Sequence, residues 1–169
     1  MDSLPLGRVS VMAGGAATLA AVANPALAVA RASSSLLDQH DAMGLAALVR
    51  GRKVSPAELL EMAISRAEAM NPRFNFMAQK HYDFARAESA RGLPDGPFAG
   101  VPWLLKDLAA YIEGELSECG SRINRGNRSP FPTELVQRYR RAGLVVFGKT
   151  TTPEFGLTGT TESTLRGAT

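Results

Sequence analysis

The sequence predicts an α/β fold, and three observations carry that expectation. Amphipathic helical stretches alternate with short apolar runs of strand length. Capping and stop residues bound the helical stretches. The composition is that of a packed chain, with 45% hydrophobic and 21% charged residues. At 169 residues the chain is long enough for one domain with a sizeable core. Its 19 Lys+Arg against 16 Asp+Glu leave a net charge of +3, too small to argue for nucleic acid as a partner. No block of five like charges occurs, which excludes a disordered acidic tail. Cys119 is the single cysteine, so no internal disulfide forms and the compartment stays open.

The first element is a leader. Between Arg8 and Arg31 there is no charged residue, and the stretch is rich in Ala and Gly. Ala26-Leu27-Ala28 and Ala28-Val29-Ala30 are small-x-small cleavage sites. Residues 1–32 therefore read either as a secretory signal or as a disordered leader, and residues 33–169 as the folded part. Localisation is cytoplasmic in one case and periplasmic in the other. Gly14, Gly15, Asn24 and Pro25 make the stretch a poor membrane span.

Asp41 caps a short helix through Leu45, Leu48 and Val49, stopped near Gly51. Ser55-Pro56-Ala57-Glu58 is a capping box with proline at the first helical position. Leu59, Leu60, Ala63, Ile64 and Ala67 then share one helical face, and Asn71-Pro72 is the expected stop. Phe74, Phe76 and Ala78 alternate with Asn75, Met77 and Gln79 as in a short strand. Residues 81–91 read as a helix stopped by Gly92, and Phe98–Leu108 as a buried strand. Residues 110–132, rich in Gly, Ser, Asn and Pro, read as an exposed loop. Thr133–Ala142 is a helix with Leu135, Val136 and Tyr139 inward and Gly143 as its stop. Leu144–Phe147 is a second buried strand.

Two constellations can carry chemistry. Gly143 to Thr150 satisfies G-x-x-x-x-G-K-[ST], a phosphate-cradling loop. The intervening Leu144, Val145, Val146 and Phe147 favour a strand over a tight turn, and Pro153 interrupts the helix such a loop needs. A phosphate-binding loop at 143–150 is therefore the weakest alternative function. The second is Gly100-Val101-Pro102-Trp103-Leu104-Leu105-Lys106-Asp107, a lysine closing an apolar run. Its ordinary reading is an amine that snorkels to water at a strand end. Its functional reading is a desolvated, neutral amine that activates a serine. Strand alternation puts Asp107 on the face opposite Lys106.

These residues bring a family into view. Residues 45–169 resemble the amidase signature family of serine hydrolases. The resemblance runs in order through the helix at Ser55–Leu60, Asn71-Pro72, the lysine motif from Gly100 to Asp107, and Gly120-Ser121. It continues through Gly148-Lys149-Thr150 with Pro153-Glu154-Phe155, and ends on Glu162 and Gly167-Ala168-Thr169. Within the family it is most similar to hydrolases of cyclic amides and oligoamides of the 6-aminohexanoate type.

The resemblance implies a mixed sheet with helices packed on it, of which only the first strands are present. It implies cleavage of carbon–nitrogen amide bonds in a small-molecule amide by a serine, a second serine in a cis peptide, and a lysine. Lys106 would be that lysine, with no cofactor and no metal. His40 and His81 stand far along the chain from the lysine motif. The family's Gly-Gly-Ser-Ser-Gly-Gly stretch is absent, so the chain reads as truncated before it and inactive alone. Ser117, Ser121, Ser129 and Ser163 read as loop or cap serines, and Cys119 as a bystander thiol. Thr151 stands where many members have Asn. The alternative is a non-catalytic fragment with a binding or scaffolding role. Sheet surface left uncovered predicts poor solubility. Oligomeric state is not fixed by the sequence.

Overall fold

The computed structural model describes residues 36–169. The leader read as a signal peptide lies outside the described residues. Among the described residues no helix is long and apolar enough to cross a membrane.

Helix α1 spans Ala42–Arg50, and Asp41 caps it by accepting the Gly44 N–H at 2.8 Å. Helix α2 spans Pro56–Phe74 and opens on the expected capping box. The Ser55 Oγ accepts the Glu58 N–H at 3.2 Å, and the Glu58 carboxylate accepts the Ser55 N–H at 2.8 Å. The helix does not stop at Asn71-Pro72. Pro72 lies inside the last turn, where it removes one backbone bond. Asn75 ends the helix instead, in the left-handed region at φ 48°. One local bond and two tertiary bonds hold that ending: Asn71 Oδ1 accepts the Met77 N–H, and Asn75 Nδ2 donates to the Arg166 and Ala168 carbonyls, each at 2.8 Å.

Strand β1, Met77–Lys80, therefore starts later than the phenylalanine alternation suggests, and Phe74 is an exposed helical residue. Helix α3 spans Tyr82–Ala90, strand β2 Pro102–Lys106, helix α4 Glu134–Arg141 and strand β3 Val145–Thr150. The sheet order is β1-β3-β2, with β1 antiparallel and β2 parallel to β3. It is a mixed sheet, as the resemblance implies. Strands β4 (Glu162–Ser163) and β5 (Gly167–Ala168) form a small separate hairpin.

β3 is central, and Val145 through Lys149 are all buried. β2 is not the buried strand expected. It is a sheet edge on which Leu105 alone is buried, while Trp103 is 38% exposed. Apolar side chains of α2 and β3, among them Leu60, Ile64, Ala67, Val145 and Phe147, fill one face of the sheet. Leu105, Ala110, Ile112, Val136 and Val146 fill the other. Residues 110–132 carry no strand or α-helix; residues 110–121 pack as a cover, with Ile112, Cys119 and Ser121 buried, and not as the exposed loop expected, whereas residues 122–131 are mostly exposed as expected. The segment's glycines and serines serve tight turns, closed by bridges from Glu113 to Ser129 and from Leu116 to Arg128. In α4, Glu134–Arg141, Val136 and Tyr139 face the sheet while Leu135, expected inward, is 45% exposed, because the helix packs through the Val136–Tyr139 side.

Gly143 has φ +88°, a backbone state only glycine adopts freely, and an added Cβ would stand 2.5 Å from the Ala99 Cα. It ends the α4 turn and feeds directly into β3. Residues 145–150 are thus a strand paired on both sides, and the Gly143 and Leu144 N–H groups donate to the Arg140 and Tyr139 carbonyls, so the segment is not a phosphate cradle.

Candidate active site

The parallel strands β2 and β3 end side by side, with Lys106 paired in register to Thr150. In parallel α/β sheets the carboxyl ends of strands are where sites form, since the chain leaves the sheet there as loops. Two lysines stand at this end, and the structure treats them oppositely. Lys106 is exposed, and among the described residues no hydrogen bond or ion pair holds its amine. The desolvated amine expected at Lys106 is therefore not found in the described residues, because nothing here covers the end of an edge strand. The desolvated amine is Lys149, with a relative exposure of 0%.

An irregularity in β3 aims Lys149 inward. The pairing of β2 on β3 steps from Trp103–Val146 to Leu104–Gly148, leaving Phe147 as an extra residue. Phe147 packs in the α2-side cluster, and a Cβ on Gly148 would also point there, toward Met77 and Leu104. Two successive residues thus face one side, and Lys149 turns to the other, beside its register partner Leu105. Bulges commonly re-aim a side chain in this way. With strict alternation Lys149 would share the face of Phe147.

On that face Lys149 Nζ lies 3.6 Å from Asp107 Oδ1 and donates to the Leu116 carbonyl at 2.5 Å. Asp107 is 1% exposed. Its Oδ1 also accepts the Glu118 N–H at 3.3 Å, and its own N–H donates to the Thr150 carbonyl at 3.0 Å. Burial pushes the Asp107 carboxyl above its usual range, and Lys149 works against that shift. Burial likewise holds the Lys149 amine below its usual range, opposed by the Asp107 charge. The expectation that Asp107 faces away from Lys106 holds, since one is buried and the other exposed.

His81, distant in sequence from the lysine motif, is brought to this polar region. Its backbone N–H donates to the Phe147 carbonyl at 3.0 Å, and its Nδ1 lies 2.9 Å from Glu115 Oε2. Burial lowers the imidazole's basicity more than Glu115 raises it, and the Lys149 charge lowers it further. Cys119 is buried, and burial pushes its thiol up, which suits an inert thiol. Three of the four serines are tied into loops by their hydroxyls. Ser121 Oγ donates to Glu154 at 2.5 Å, Ser129 Oγ to the Phe131 carbonyl at 2.6 Å, and Ser163 Oγ accepts the Arg166 N–H at 3.1 Å. Glu118 pairs with Arg166, which ties the cover segment to the C-terminal hairpin. Thr151 shares a hydrogen bond of 2.8 Å with Thr169. Among the described residues no group of His, Cys, Asp and Glu is arranged to hold a metal ion.

Sequence reasoning does not single out Lys149, Glu115 or His81 as members of the site. The available signal is Lys149 itself, a lysine closing an otherwise apolar run. Linear pattern places it only in a phosphate-loop match and in the Gly-Lys-Thr segment, because the bulge that turns it inward has no local sequence mark.

Comparison with known proteins bears on the family and the fold. The Amidase family profile matches residues 58–169. The chain is 44% identical over 132 residues to the 6-aminohexanoate-cyclic-dimer hydrolase of Paenarthrobacter ureafaciens, covering 77% of this chain and 26% of that protein. It is 43% identical over 132 residues to the hydrolase of the same name from Pseudomonas sp. (strain NK87), with the same two coverages, 77% and 26%. A solved structure of 6-aminohexanoate cyclic dimer hydrolase matches with a TM-score of 0.73 at 42% identity, over 77% of this chain and 27% of that one. A bacterial aryl acylamidase of the amidase signature family matches with a TM-score of 0.67 at 31% identity, over 73% of this chain and 27% of that one. The chain spans about a quarter of the length of the curated relatives it matches. With the ordered motifs, the mixed sheet and these matches in agreement, the chain belongs to the Amidase family and carries part of its α/β fold.

Proposed function

We propose that this chain supplies the lysine-bearing part of a hydrolase that cleaves amide bonds in a small molecule, with Lys106 as the base. The observation that supports this most directly is the placement of Lys106. It stands at the carboxyl end of a parallel strand, in the family's lysine motif, with its amine uncommitted among the described residues. In this reading the neutral amine accepts a proton from one serine, which accepts one from the second. The second serine attacks the amide carbonyl, the amine leaves with a proton, and water clears the acyl-enzyme. Backbone N–H groups stabilise the oxyanion.

Neither serine stands in a Gly-Ser-Ser-Gly setting among these 169 residues. The cover that would keep Lys106 neutral is proposed to come with the rest of the fold, since the match takes in only 26% of the Paenarthrobacter protein. The chain by itself is proposed to be inactive. The likeness to hydrolases of 6-aminohexanoate cyclic dimer makes a cyclic or oligomeric aliphatic amide the proposed substrate class.

The test exchanges this chain for its matching quarter in the Paenarthrobacter hydrolase and assays release of free amine from the cyclic dimer. Turnover that disappears with Lys106→Ala, with folding unchanged, supports the reading. Turnover that survives Lys106→Ala rejects it. The 169-residue chain alone is assayed beside it, and amide hydrolysis there rejects the inactive-alone part.

A further inference from the structure

We infer that Lys149 is a positioning residue for Lys106: through its buried pair with Asp107 it locks the end of β2, so that Lys106 is held on the opposite face. The inference rests on the reading of Lys106 as the base. It starts from adjacency. Asp107 directly follows Lys106, the last residue of β2, and its side chain is buried while that of Lys106 is exposed, so the two point to opposite sides of the strand end. Whatever fixes the Asp107 side chain therefore fixes the direction of Lys106. Two buried contacts fix that side chain, Lys149 Nζ at 3.6 Å and the Glu118 N–H at 3.3 Å, and the Asp107 N–H on the Thr150 carbonyl at 3.0 Å fixes its backbone.

The cost of the arrangement argues for a use beyond packing. Lys149 is fully buried, and an ion pair in such surroundings commonly contributes no more than apolar side chains of the same volume. The chain also interrupts its central strand with a bulge to bring Lys149 there. Lys149 further donates to the Leu116 carbonyl at 2.5 Å, so one amine ties β3, the end of β2 and the cover segment together. The other groups facing the pair are Glu118, Cys119, Glu115 and His81. Lys149 itself is sealed from any substrate, so its effect on chemistry passes through Asp107 and Lys106.

The test has two arms. In the 169-residue chain, amide hydrogen exchange is read residue by residue for the parent, Lys149→Met and Lys149→Arg. The expected result in Lys149→Met is exchange at Asp107 accelerated by about tenfold or more beyond the acceleration at Val145 to Phe147, which follow the overall loss of stability, with partial recovery in Lys149→Arg. Uniform acceleration across the sheet, or no change at Asp107, overturns the inference. In the exchanged hydrolase, Lys149→Met paired with Asp107→Leu replaces the ion pair by apolar side chains. The expected result is a folded enzyme with kcat lower by about tenfold or more and KM changed by less than about threefold. A stable double variant with parental kcat overturns the inference. Loss of activity on Lys106→Ala together with parental kcat in the double variant rejects the positioning role alone. Survival of activity on Lys106→Ala rejects the underlying reading, and the exchange arm still decides whether Lys149 locks the strand end.

Discussion

Lys149 of the central strand and Asp107 at the end of its parallel neighbour form an ion pair, Nζ to Oδ1 3.6 Å, with exposures of 0% and 1%. Removing one partner leaves an uncompensated charge in the interior, which costs about 3–5 kcal/mol. Lys149→Met and Asp107→Leu should each destabilise the chain by about that much, read by urea unfolding. The double variant should recover most of the loss, because two apolar side chains need no solvation. Additive losses in the double variant would mean that the two groups do not interact.

Lys106→Ala is expected to behave in the opposite way. The side chain is exposed and unpaired among the described residues, so its removal should change unfolding free energy by less than about 0.5 kcal/mol. Matching urea midpoints for parent and variant are the expected result. A large loss would place Lys106 in a structural contact.

His81 should make stability depend on pH. Its folded-state pKa lies below the ordinary histidine value of 6.5, chiefly because the ring is buried. Between that depressed value and about 6.5 the unfolded chain binds more protons than the folded one, so stability falls as pH falls through this window. Urea unfolding across a pH series should show the decline, and His81→Gln should flatten it. An unchanged slope in the variant would assign the dependence elsewhere.

Gly148 should be intolerant of a side chain. A Cβ there would stand 2.6 Å from the Gln79 carbonyl oxygen and 2.7 Å from the Met77 Cε. The first contact is backbone and cannot yield without moving β1. Gly148→Ala should cost about 1–3 kcal/mol and disturb the turn of the chain that aims Lys149 inward. Calorimetric melting reads the first effect, and faster exchange at Asp107 the second. A parental melting temperature would show that the bulge has room to relax.

The free edge of β2 should drive association. Trp103 is 38% exposed beside an apolar groove lined by Ala67, Met70, Phe76 and Leu104, with no strand on its outer side among the described residues. Light scattering should rise with concentration, and Trp103→Lys should suppress it, since charge on an edge opposes strand pairing. Equal scattering from both would place the sticky surface elsewhere.

Local chemistry was enough to determine much of this fold. The Asp41 and Ser55 caps, the Gly92 and Gly143 stops and the apolar run of β3 each depend on residues within a turn of one another, so they are legible in a linear chain. The order of motifs was likewise enough to place the chain in its family and to single out Lys106. Tertiary structure decided what depends on partners far along the chain. Asn71-Pro72 stays helical because residues 166 and 168 hold Asn75. Residues 110–121 are a cover and not an open loop because Ala110 and Ile112 pack on the Leu105 face of the sheet. Which lysine is buried turned on a bulge in β3, set by how β1 and β2 register against it. Side-chain burial is a property of the assembled sheet: a residue's face follows from strand pairing, and one extra residue reverses it.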